Sequence, residues 1–180
     1  PLPALRGEYQ LRNAAAVLVA VRELADRLPV SADAIRLGVR QARLHGRFEI
    51  ASERPRVILD VAHNPQAMAG LAGNLEAMPC AGKTLAVVGM LADKDIAGAL
   101  ATLAGKIDVW LIVGLDVPRG APASTLVQAV VGLGGRVETF AAPDQAFAHA
   151  VGLAGENDRI AVFGSFYTVA AVMRALARRA

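Results

Sequence analysis

LAVVGMLADKDIAGALATLAGKIDVWLIV, residues 85–113, holds an apolar run, a helical run and a second apolar run in succession. The outer runs, 85–89 and 109–113, are short and rich in β-branched residues, which suits buried strands better than helices. Between them, 95–104 reads as a helix. The same alternation continues downstream. Residues 124–131 are helical, 136–140 strand-like, 144–154 helical, 160–163 strand-like and 166–178 helical. Upstream, 47–52 and 57–61 read as two strands joined by the turn Glu53-Arg54-Pro55-Arg56. They are followed by a helix over about 65–78, with Pro65 well placed in its first turn.

The strands are apolar on both faces, as expected when helices cover both sides of a parallel sheet. Strand–helix alternation of this kind predicts an α/β fold: a three-layer, Rossmann-like open sheet, mostly parallel, with helices on both faces. A short helical segment precedes it. There the spacing predicts one helix over 14–28, capped by Asn13 and ended by Pro29, and a second over 32–44 following Ser31. No strand lies between these two helices, so this portion reads as the tail of something larger.

Composition narrows the function. The chain has 180 residues, 54% hydrophobic and 19% charged, which suits one packed core and excludes a disordered chain. No run of about twenty apolar residues is available for a membrane span, and Pro1-Leu2-Pro3 does not read as a signal peptide. A cytoplasmic, monomeric protein is expected. A net charge of +3 raises the question of nucleic acid, but the arginines are scattered among acidic residues. Only Arg174, Arg178 and Arg179 cluster, at a helix end where cations complement the dipole. Aromatic residues at 4% are too few for a base-stacking platform. The single cysteine, Cys80, has no disulfide partner, and His45, His63 and His149 lack the spacing of a helix-borne metal site.

In an open α/β sheet, ligands bind at the carboxyl ends of the strands. Three of those ends carry chemistry here. Asp60-Val-Ala-His63-Asn64-Pro65 offers a carboxylate for a ribose or cation, and a His-Asn pair beside the free N–H groups of the next helix. Asp60 or Asn64 can equally serve as an N-cap. Gly89-Met-Leu-Ala-Asp93-Lys94-Asp95 can meet a charged substrate or simply cap its helix. In Gly164-Ser165-Phe166-Tyr167-Thr168 the serine supplies a hydroxyl or an N-cap, and Tyr167 a phenol. Neither a Gly-x-x-x-x-Gly-Lys-Ser/Thr loop nor a Gly-x-Gly-x-x-Gly after the first strand is present, so a complete nucleotidase or dehydrogenase is not expected.

Taken in order, Tyr9-Gln-Leu-Arg-Asn13-Ala-Ala, His45-Gly-Arg47-Phe48-Glu49, the Asp60–Pro65 and Gly89–Asp95 segments, Pro118-Arg119-Gly120 and Gly164–Thr168 resemble the folylpolyglutamate synthase/dihydrofolate synthase family. The likeness runs over essentially the whole chain. Asp-x-Ala-His-Asn-Pro is shared with the wider Mur ligase superfamily; the Gly-Met-Leu-x-Asp-Lys-Asp and Gly-Ser-Phe-Tyr-Thr segments favour the folate enzymes.

The resemblance implies an ATP-dependent acid–amino-acid ligase. ATP phosphorylates a carboxylate of dihydropteroate or of a folate tail, and L-glutamate attacks the acyl phosphate. It implies that Asn13 hydrogen-bonds adenine, that Arg47 reaches the ATP phosphates and that Asp60 contacts the ribose. His63, Ser165 and Tyr167 would lie toward the glutamate and acyl phosphate, with His63 and Arg47 the catalytic pair. Asp93, Lys94 and Arg119 match the family pattern without an assigned partner. The phosphate-binding loop, the Mg²⁺ ligands and the pterin pocket of the family lie upstream of anything present. Residues 1–45 then correspond to the helical tail of the ATP-binding central domain and 46–180 to the C-terminal glutamate-ligase domain, a piece that folds without catalysing. A Mur-type peptide ligase domain and a free-standing nucleotide or amino-acid binding module are the alternatives.

Overall fold

A computed structural model describes residues 2–5 and 7–178; Pro1 and Arg179 lie outside the described residues. The helical segment comprises α1 (Glu8–Glu23) and α2 (Ala32–Gln41). Then follow β1 (Glu49–Glu53), β2 (Arg56–Leu59), α3 (Pro65–Ala77), β3 (Thr84–Val88), α4 (Ile96–Ala101), β4 (Val109–Val113), α5 (Ala123–Val130), β5 (Arg136–Phe140), α6 (Pro143–Leu153), β6 (Arg159–Phe163) and α7 (Phe166–Ala177).

The strands form one six-stranded sheet in the order β1-β2-β6-β3-β4-β5. All neighbours are parallel except the β1–β2 hairpin. Alternate strand residues feed two separate cores, which is why the strands read as apolar on both faces. On one side Ile58, Val88, Ile112 and Phe163 pack with Met68 of α3, Leu100 of α4 and Leu126 of α5. On the other, Leu59, Val87, Leu111 and Val162 pack with Phe147 of α6 and Val169 of α7.

This arrangement places the site. β6 enters last and inserts between β2 and β3, sending its helix to the opposite face from theirs. The crevices flanking its carboxyl end are therefore the switch points of the sheet. There the Gly164 N–H donates to the Ala62 carbonyl at 3.0 Å, and the Thr168 hydroxyl donates to the Gly89 carbonyl at 2.8 Å. All three chemically loaded strand ends are thus tied together.

The helical segment departs from expectation. Asn13 caps nothing: α1 starts five residues earlier, at Glu8, after Gly7 with φ 105°. Residues 8–12 carry no helix breaker, so the helix extends back until a glycine ends it. It stops at Glu23, and the turn through Leu28 closes on the Leu24 carbonyl before Pro29 is reached. α2 begins as expected, with the Ala34 N–H donating to Ser31 Oγ at 3.2 Å, but ends at Gln41, where Ala42 turns extended. Among the described residues, no helix is long and apolar enough to cross a membrane.

Candidate functional site

The β2–α3 loop is built around Asp60. Its Oδ1 accepts the Ala62 N–H at 2.8 Å and its Oδ2 accepts the Phe48 N–H at 3.0 Å. The second bond matters because Phe48 is 4% exposed and holds a left-handed backbone, φ 47°. A bulky residue in that region carries strain of about 1–3 kcal/mol and persists there only because its surroundings hold it. Gly46, two residues before Phe48, is fixed as well. Its carbonyl accepts the Val61 N–H at 2.8 Å, and its N–H donates to Glu49 Oε2 at 2.9 Å. Between these two anchored residues Arg47 projects outward, its guanidinium carbon 5.8 Å from the centre of the Phe166 ring.

His63 is oriented by its own loop. Nδ1 lies 2.8 Å from the Val61 carbonyl. A carbonyl only accepts, so Nδ1 carries the proton, and in the neutral ring Nε2 is left as an acceptor. Asn64 caps α3 by accepting the Ala67 N–H at 2.9 Å, with Pro65 in the first turn.

Asn13, Arg47, Asp60 and His63 line one cleft of about 330 Å³ between α1 and the strand ends. Tyr9 and Asn74 line it too. Sequence reasoning passed over both as site residues: Tyr9 stood in a quoted motif without a role, and Asn74's only signal was an amide in the middle of a mostly apolar helix. Asn13 donates to Gln10 Oε1 at 3.0 Å, so one amide proton is held on the helix surface.

Ser165 and Tyr167 are not among the residues lining this cleft. Ser165 is 3% exposed and caps α7, accepting the Thr168 N–H at 3.1 Å. The Thr168 hydroxyl already gives its proton to Gly89, so at 2.8 Å Ser165 Oγ must be the donor to Thr168 Oγ1. Tyr167 is exposed at the start of α7. Asp93 sits apart, 3.0 Å from the Arg119 guanidinium and 3.5 Å from the Lys94 ammonium, while Asp95 caps α4 through the Gly98 N–H at 2.9 Å. Arg119 adopts φ 65°, and its carbonyl accepts the Ala92 N–H at 2.7 Å, clasping the β3–α4 and β4–α5 loops.

Burial pushes the Asp60 carboxyl above its ordinary value, against the opposite pull of two backbone N–H groups and Arg47. The folded chain therefore holds this proton to higher pH than the unfolded one. The stability Asp60 contributes is full below the unfolded carboxylate value and falls as pH rises through the folded one. Asp60→Asn should cost about 1–3 kcal/mol, because its amide faces an N–H group and leaves it unpaired. In thermal melts from acid to neutral pH, the wild-type advantage over this variant should shrink. An advantage that grew would mean that the carboxylate is stabilised where it sits.

Residues 46–166 match the family described as Mur ligase, glutamate ligase domain. The chain is 48% identical over 167 residues to a dihydrofolate synthase/folylpolyglutamate synthase of Escherichia coli K12, covering 93% of this chain and 38% of that protein. It superposes with a TM-score of 0.88 and 46% identity on E. coli FolC in complex with DHPP and ADP, covering 100% of this chain and 41% of that one. A bifunctional folylpolyglutamate synthase/dihydrofolate synthase with Mn, AMPPNP and L-glutamate bound gives a TM-score of 0.85 at 43% identity, over 98% of this chain and 41% of that one. The chain thus spans about two fifths of the length of these proteins. A match over most of its length, on a sheet whose loaded strand ends meet at the switch points, means that this chain belongs to the Mur ligase glutamate ligase domain family.

Proposed function

We propose that this chain is the C-terminal, glutamate-adding part of an ATP-dependent dihydrofolate synthase/folylpolyglutamate synthase. Residues 1–45 are the helical tail of an upstream ATP-binding domain and 46–180 the ligase domain. The observation that carries this is the convergence of Asn13, Arg47, Asp60 and His63, from a helix and two loops, on one cleft. Exposed apolar side chains on the helical segment, among them Val17, Val19, Leu28 and Leu37, support the presence of a further domain packed against it.

In this reading ATP transfers its γ-phosphoryl group to the acceptor carboxylate, the amine of L-glutamate attacks the acyl carbon, and inorganic phosphate leaves as the amide forms. The chain's part is positioning and charge neutralisation. Asn13 offers its amide to the adenine. Asp60 meets the ribose with the lone pairs left by its two backbone bonds, and through Phe48 it holds the loop that aims Arg47. The guanidinium fork suits phosphate oxygens. His63 presents its acceptor nitrogen toward the reacting groups. Ser165 and Tyr167 border the incoming glutamate at the N-terminus of α7, whose free N–H groups suit a carboxylate. In this reading the Mg²⁺ ligands are supplied by the upstream domain.

Offered ATP, Mg²⁺, L-glutamate and a mixture of acceptors, the longer parent enzyme should form amide on dihydropteroate or a folate, with ADP and phosphate released in step. The 180-residue chain alone should form none. Turnover by the chain alone would overturn the domain placement, and selection of a peptidoglycan precursor would favour a Mur-type peptide ligase.

A further inference from the structure

Next to the nucleotide cleft is a second cavity, of about 340 Å³, and its charge is one-sided. Arg40 from the last turn of α2, Arg43 from the linker, and His45 and Arg47 from the following loop all line it, against one carboxylate, Glu49. That carboxylate is already engaged: Oε1 lies 3.0 Å from His45 Nδ1 and Oε2 accepts the Gly46 N–H at 2.9 Å. Among the described residues, Arg40 and Arg43 have neither a hydrogen bond nor an ion pair, whereas Arg36, Arg56, Arg119, Arg136 and Arg178 each face a carboxylate. Arg40, Arg43 and Arg47 converge on this cavity. Its volume falls within the range of roughly 300–1,000 Å³ typical of small-molecule sites.

Arg47 and Phe48 line both cavities, so the cationic wall adjoins the cleft. We propose that the Arg40–Arg43–His45 cavity binds the γ-linked glutamyl tail of the acceptor, a proposal that rests on the ligase reading above. Each γ-linked residue carries a free α-carboxylate, so the tail is a flexible chain of separated anions. Guanidinium groups on flexible stems, entering from α2, the linker and the β1 approach, suit such a chain better than one compact anion. Carboxylate–guanidinium pairing is bidentate and charge-assisted, and at an exposed cavity it weakens with salt. The cavity would thereby favour acceptors that already carry several glutamates.

The test is a titration of the ¹⁵N-labelled 180-residue chain with tri-γ-glutamate at low salt, followed by NMR. Saturable shifts at residues 40–49 are expected, with affinity reduced roughly tenfold in R40Q/R43Q. R22Q/R27Q, which alters exposed arginines that do not line the cavity, should leave the affinity unchanged. Absence of saturable shifts there, or equal affinity in R40Q/R43Q, would overturn the proposal. Tighter binding of inorganic tripolyphosphate than of tri-γ-glutamate would also overturn it, assigning the cavity to phosphate. A parallel titration with ADP, read at residues 13, 60 and 63, tests the nucleotide cleft independently, so failure of the ligase reading is seen separately.

Discussion

Arg47→Ala in the longer parent enzyme should lower kcat/KM for ligation by about 10²–10³-fold, the scale on which loss of one preorganised group facing developing charge is felt. The loop around Arg47 is the reason for so large an effect. Gly46 and Phe48 both hold left-handed backbone, and each is tied to the β2–α3 segment, one through the Val61 N–H and the other through Asp60. The guanidinium is thus aimed by a backbone fixed before any nucleotide arrives, so little ordering is left for the reaction step. The same side chain is exposed, lying over the Phe166 ring and pulling only weakly on the Asp60 carboxyl. Its removal should therefore shift stability by no more than about 0.5 kcal/mol. Arg47→Lys should recover only a small part of the activity. An ammonium keeps the charge but loses the fork that binds two phosphate oxygens at once. Steady-state kinetics of both variants beside thermal melts would check this. Full activity in Arg47→Ala would remove the residue from the phosphate site, and a large loss of stability would recast it as structural.

The inner strands were legible because burial on two faces leaves an apolar run, as in β4, and the exposed edge strand β5 also falls where the sequence puts it. The start of α1 was not. Asn13 is a good cap type, but whether a cap is used depends on where the chain upstream ceases to be helical, and Gly7 sets that limit. The site divides in the same way. Residue types at strand ends showed Asp60, His63 and Ser165 as chemically loaded, since the sheet topology makes those positions special. Their partners were hidden. The Asp60–Phe48 bond joins residues twelve apart through a left-handed turn, and only the packed structure reveals it. Asn13 reaches the cleft because the start of α1 and the side of α3 line it together, a tertiary event with no local signature. Ser165 carried both a cap and a hydroxyl in its sequence reading, and the structure shows the cap in use.

Gly164→Ala should be strongly damaging to the sheet domain. Gly164 ends β6 at φ 103°, where a side chain is strained in any space. A Cβ there would meet the Gly89 carbonyl oxygen at 2.7 Å, Met90 Cγ at 2.9 Å and Val88 Cγ2 at 3.0 Å. Met90 and Val88 are fully buried, and Gly89 is held by the Thr168 hydroxyl, so none of the three can give way freely. Backbone strain of about 1–3 kcal/mol adds to overpacking of about 1–3 kcal/mol. At roughly 2–4 °C per kcal/mol for a chain of this size, Tm should fall by about 5–20 °C. Gly152→Ala is the matched control. That glycine lies within α6 with nothing near its Cβ position, so alanine should be neutral or stabilise by up to about 1 kcal/mol. The comparison separates local packing from glycine content in general. If both variants melt with the wild type, the end of β6 yields more easily than its contacts imply. If only Gly164→Ala falls, the three strand ends behave as one rigid unit. The methyl would then also displace the Gly164 N–H from the Ala62 carbonyl, and with it the loop carrying His63. Activity in the parent enzyme should for that reason fall even at temperatures where the variant remains folded.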